Sequence, residues 1–136
     1  MREIKYIVIH CTATPLNTTL QSIQNHWRNV LGWKSPGYHL LIAANGMIHE
    51  LQPLEKPANG VRGYNAHSIH VSTIGGHKVD DRTAAQKDKL WFTIKALKAM
   101  YPNAEILGHR DFPNVAKSCP RYNAKEWFDT YIPLGG

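Results

Sequence analysis

KYIVIHC, residues 5–11, is the stretch on which the fold turns. Its β-branched and aromatic side chains suit a pleated, packed surface, and the run is too short for a helix, so it reads as a buried strand. A period of two puts Tyr6, Val8 and His10 on one face and Ile7, Ile9 and Cys11 on the other. Outward from it, TATPLNTTLQ (12–21) is a loop, and Thr18 with Gln21 offers a capping box. Leu20, Ile23, Trp27, Val30 and Leu31 then recur at helical spacing as far as Gly32.

YHLLIAANGMIHELQ (38–52) is two apolar runs joined by Asn45-Gly46, a strong hairpin signal. PLEKPANGVRG (53–63) is a loop, and SIHVSTIGG (68–76) is a further strand. Thr83 and Gln86 form a second capping box, ahead of a helix with a Leu90, Ile94, Leu97, Tyr101 stripe and with Lys87, Lys95 and Lys98 on a solvated face. A short strand ends at His109, and Asn123 caps a terminal helix. The order β, α, β, β, β, α, β, α predicts one α/β domain over residues 1–136, a central mixed sheet flanked by helices.

With 136 residues, 43% of them hydrophobic and 19% charged, the chain is neither disordered nor collagenous, and a domain of this size needs no disulfide to fold. Cys11 and Cys119 allow a disulfide without requiring one. No apolar run reaches membrane-spanning length and no signal peptide is evident, so a cytoplasmic protein, as synthesised, is expected. The net charge of +6 favours an anionic partner, whether nucleic acid, lipid or a cell-wall polymer.

The histidines say more. His10 and His109 each end a strand and open a polar loop, the position where α/β folds place function. With Cys119 they make a candidate metal set of two imidazoles and a thiolate, which suits zinc and leaves a fourth position open. The spacing His-x9-Cys matches no short zinc-finger pattern, and the competing reading is a core histidine, a surface histidine and an idle thiol. Tyr38 and His39 open a strand and point to opposite faces, Tyr38 being the better cleft candidate. Lys117, in the loop carrying Cys119, could meet an oxyanion or simply be solvated.

IVIHCTAT (7–14), GWKSPGYHLLIAANG (32–46), GYNAHSIHVSTIGG (63–76), TAAQ (83–86), ILGHRDFP (106–113) and KSCPRYNAKEWF (117–128) together resemble the zinc-dependent N-acetylmuramoyl-L-alanine amidase family, type 2, which includes peptidoglycan recognition proteins. The pieces occur in family order along nearly the whole chain. The resemblance implies the amidase fold, with His10, His109 and Cys119 holding Zn2+, Tyr38 and Lys117 as the catalytic pair, and Asn65 lining the site. It implies hydrolysis of the amide between N-acetylmuramic acid and L-alanine in peptidoglycan, by a phage or prophage endolysin or a wall-remodelling enzyme that reaches the wall after release or export.

Two departures from the family pattern stand out. His70 replaces a usual glycine, where it adds a side chain near a crowded strand and could line the site or carry a proton. Gly60 and Val61 lie near where many members carry a histidine. His26 and Trp27 are in the reverse of the familiar order and are assigned no role. Non-catalytic binders of the family generally lack the cysteine ligand, so Cys119 and Lys117 favour hydrolysis over a binding module. A nucleic-acid-binding domain or metal nuclease is disfavoured, because the basic residues form no run and no carboxylate cluster is present. The expected partners are peptidoglycan or muropeptide, with electrostatic contact to anionic wall polymers, and a monomer is expected.

Overall fold

The computed structural model describes residues 2–113, 115 and 118–134. Its elements are β1 (Tyr6–Cys11), α1 (Leu20–Asn25), β2 (Leu40–Ile42), β3 (Ile48–Glu50), β4 (Ser68–Thr73), α2 (Ala84–Met100), β5 (Glu105–Gly108) and α3 (Ala124–Thr130). The sheet has five strands in the order β3-β2-β4-β1-β5. β1 runs parallel to both β4 and β5, β4 is parallel to β2, and the β2–β3 hairpin is antiparallel, so the sheet is mixed.

Register divides the side chains between two faces. Ile7 pairs with Ile69 and Ile9 with Val71. Ile42 and Ile106 join them against Leu90, Ile94 and Leu97 of α2 and Ala124 of α3. Each of these isoleucine and leucine side chains, fully buried, contributes about 1.5–3 kcal/mol. The same register sets Val8 beside His70 and His10 beside Ser72 on the opposite face. There Ile23 and Trp27 cover Leu41, and Val61 and Phe112 cover Val8. One face is therefore sealed by α2 and α3, while the other carries imidazoles under loops.

The caps show which local signals hold. Thr83 accepts from the Gln86 amide while the Gln86 side chain accepts from the Thr83 amide, as expected. Gln86 also donates to the Ile42 and Ile74 carbonyls, tying α2 to the ends of β2 and β4. Asn123 caps α3. At α1 the cap is Thr19, accepting from the Ser22 amide, in place of the expected Thr18–Gln21 box.

α1 also departs from a regular helix. After six residues it widens into a π-turn over His26–Val30, closed by the Leu31 amide bonding the His26 carbonyl. The wider turn rotates the following residues off the buried stripe, so Val30 and Leu31, expected on that stripe, are exposed. The turn stops at Gly32, whose φ of +69° suits glycine. Lys98, expected on a solvated face, donates to the Pro102 and Ala104 carbonyls and closes the end of α2. Among the described residues no helix is long and apolar enough to cross a membrane.

Candidate metal centre and active site

His10 lies on β1, one residue before its end, and is 1% exposed, so the sheet fixes its ring direction. His109 opens a short 3-10 turn directly after β5. The Asp111 carboxylate accepts from the Gly108 amide at 2.8 Å and holds that turn to the strand. Cys119 arrives on a loop, where the Arg110 amide donates to its carbonyl at 2.9 Å and the Cys11 amide donates to its Sγ at 3.0 Å. Arg121 clamps the loop by donating to the Gly76 and His77 carbonyls. One ligand atom from each of His10, His109 and Cys119 lies within 4.8 Å of the others.

The cluster joins residues distant in sequence, and it includes the three candidates singled out from the strand ends and the loop. Cys11 and Cys119 are both buried, and no disulfide joins them. Two nitrogens and one sulfur make a donor set that fits a borderline-soft divalent ion better than a hard one.

Tyr38 lies just ahead of β2, which starts at Leu40, so Tyr38 and His39 precede the strand they were expected to open. They do diverge: His39 is fully buried and Tyr38 half-buried. The Tyr38 ring packs 5.0 Å from the His10 ring, between it and Trp27, and its hydroxyl donates to the Cys11 carbonyl at 3.4 Å. Burial pushes the Tyr38 phenol well above its ordinary range, so it is a neutral donor at physiological pH. Lys117 lies outside the described residues.

Beside the cluster a groove of about 710 Å³ is lined by Trp33, Arg62, Tyr64, Asn65 and His109, among others. Asn65 lines it directly. His70 is wholly buried behind it, with its Nδ1 2.9 Å from His10 Nε2 and its Nε2 2.8 Å from Asn65 Oδ1. Burial, reinforced by the charges of His39, His109 and Arg2, holds the His70 imidazole well below its ordinary pKa.

A fourth imidazole, His39, has no role legible in the sequence. Its Nδ1 accepts from the His70 amide at 2.9 Å and its Nε2 lies 2.7 Å from the Lys56 carbonyl. Burial pushes it down to about 4 against the pull of the Lys56 carbonyl. His39 thus serves as a neutral pin between β4 and the 53–63 loop. The signal that could have found it is a histidine directly ahead of the apolar run 40–42, two residues before the wholly buried Leu41.

The two family departures prove to be one packing event. A Cβ on Gly60 would stand 2.2 Å from His70 Nδ1, so a side chain at 60 and the imidazole at 70 compete for one space. An imidazole on β4 is accommodated because the crossing loop is bare at Gly60.

The mixed sheet and the two-histidine, one-cysteine cluster under a groove define a metal-site hydrolase fold, and the chain belongs to the N-acetylmuramoyl-L-alanine amidase family, whose model matches residues 1–122. It is an enzyme of that family, a peptidoglycan amidase. Over 132 residues it is 30% identical to the endolysin of Escherichia phage T7, covering 90% of this chain and 84% of that protein. The endolysin of Klebsiella phage KP32 is 28% identical over 135 residues, covering 94% and 87%. The Ph2119 endolysin from Thermus scotoductus bacteriophage Ph2119 shares the fold with a TM-score of 0.81 at 23% identity, covering 94% of this chain and 84% of that one.

Proposed function

We propose that the chain cuts the amide between the lactyl group of N-acetylmuramic acid and the L-alanine that begins the peptide stem, with Zn2+ held by His10, His109 and Cys119. The observation that carries this reading is the convergence of those three donors within 4.8 Å beside an open groove. When bound, the ion supplies Lewis acidity toward the scissile carbonyl and toward water.

The chain's own residues supply the rest. Tyr38, neutral and adjacent to His10, offers a hydrogen bond to the negative charge that builds on the carbonyl oxygen. Trp33 and Tyr64 give the groove apolar ring faces and Arg62 gives it a cation, a combination suited to a sugar–peptide substrate bearing carboxylates. For Lys117, the resemblance to the family supports a second charge-stabilising contact. The net charge of +6 favours encounter with anionic wall polymers.

The test is to incubate purified peptidoglycan with the protein, with and without a chelator, and identify the released ends by mass spectrometry. Chelator-sensitive release of stem peptides with free L-alanine amino termini is expected. Cleavage between sugars, or retention of muropeptide without any turnover, overturns the reading.

A further inference from the structure

The polarity of the hydrogen bonds behind His10 can be read from one end. The Val61 amide can only donate, and it meets an Asn65 side-chain atom at 2.8 Å, so that atom is the carbonyl Oδ1. The same Oδ1 lies 2.8 Å from His70 Nε2, which must therefore carry its proton. His70 is fully buried and no described carboxylate bonds to its ring, so the imidazole is neutral and its Nδ1 holds a lone pair. His10 Nε2, at 2.9 Å, then donates to that lone pair, and in the neutral imidazole, the form that can ligate a metal, the unprotonated nitrogen of His10 is Nδ1.

We propose that Asn65 and His70 are positioning residues that lock His10 in its Nε2–H tautomer, turning the Nδ1 lone pair toward His109 and Cys119. This rests on reading the cluster as a metal site. The chain Val61 amide, Asn65, His70, His10 begins at a fixed backbone donor, so its direction cannot reverse without breaking the bond from that amide. An imidazole bound to a metal is usually oriented by a partner on its other nitrogen, often a carboxylate or a carbonyl. Here that partner is a second imidazole, accommodated by the missing side chain at Gly60.

The test reads the tautomer itself. In chelator-treated, metal-free protein, long-range proton–nitrogen NMR of the imidazoles should show His10 as the Nε2–H form in the wild type and as a mixture in His70→Phe. Zn2+ titrated by calorimetry should bind roughly 10- to 100-fold more weakly to the variant. Asn65→Leu keeps the His70 ring and removes only its acceptor, so it carries the test if His70→Phe does not fold. It should likewise mix the His10 tautomers, and His70→Gln, which retains an acceptor, should recover part of the Zn2+ affinity. A His10 Nδ1–H form in the wild type, or unchanged tautomer and Zn2+ affinity in the folded variants, overturns the proposal. Wild-type protein in the Nε2–H form that takes up no Zn2+ overturns the metal reading and leaves the tautomer lock standing.

Discussion

Gly60 lies so close to the His70 ring that a Cβ on it would meet Nδ1 at 2.2 Å. The ring belongs to a central strand and is wholly buried, so it cannot swing away. Gly60→Ala should therefore destabilise the fold by roughly 3 kcal/mol, as overpacking of a rigid core does. In a His70→Gly background most of that cost should vanish, a coupling toward the upper end of the roughly 0.5–3 kcal/mol found between touching residues. Urea denaturation of the four proteins in the cycle checks it, and additive costs would show that the two sites do not compete.

Cys119 is the only sulfur in the metal-capable cluster, and a neutral hydroxyl is a poor substitute for a thiolate. Cys119→Ser should weaken Zn2+ binding by more than the roughly 10- to 100-fold expected from losing an outer partner. Metal content after equilibrium dialysis measures this, and normal content would remove Cys119 from the ligand set.

Tyr38 touches the His10 ring without belonging to the donor set. Tyr38→Phe keeps the packing against Trp27 and deletes the hydroxyl. Its kcat should fall roughly tenfold to a thousandfold with Zn2+ content retained, because a donor to developing charge acts mainly in the transition state. Turnover and bound metal measured on the same preparation separate this role from a structural one.

His39 is neutral in the fold because its Nδ1 accepts from the His70 amide, and burial takes it from an ordinary 6.5 to about 4. The unfolded chain binds this proton first as the pH falls. Its contribution is thus complete above about 6.5, shrinks as the pH drops toward about 4, and is gone below that. The size is on the order of 3 kcal/mol. Urea midpoints across that window, with chelator present so that metal release plays no part, should fall more steeply for the wild type than for His39→Gln. Parallel curves would show that His39 is not held neutral.

Salt separates encounter from chemistry. With a net charge of +6, binding to intact wall should weaken with ionic strength more than hydrolysis of a small neutral muropeptide analogue. Equal sensitivity on both substrates would place the decisive charges at the reaction site.

Local patterns along the chain account for the strands, the Asn45-Gly46 hairpin, the Thr83–Gln86 cap and the alternation that separates Ile7 and Ile9 from Val8 and His10. Those signals are local: a period of two, a turn dipeptide or a cap acts over a few residues, and the chain carries it wherever it goes. The π-turn at His26–Val30 escaped them, because packing of Trp27 against Leu41 and Tyr38 outweighed the regular helical stripe. The site residues were legible as types at strand ends, and the resemblance to the family ordered them. Which nitrogen of His10 takes a proton, and why Gly60 and His70 belong together, follow from the folded arrangement alone. Those facts depend on hydrogen-bond direction and contact among residues brought together by the parallel pairing of β1 with β4 and by the loop crossing above them, a juxtaposition that no spacing in the chain encodes.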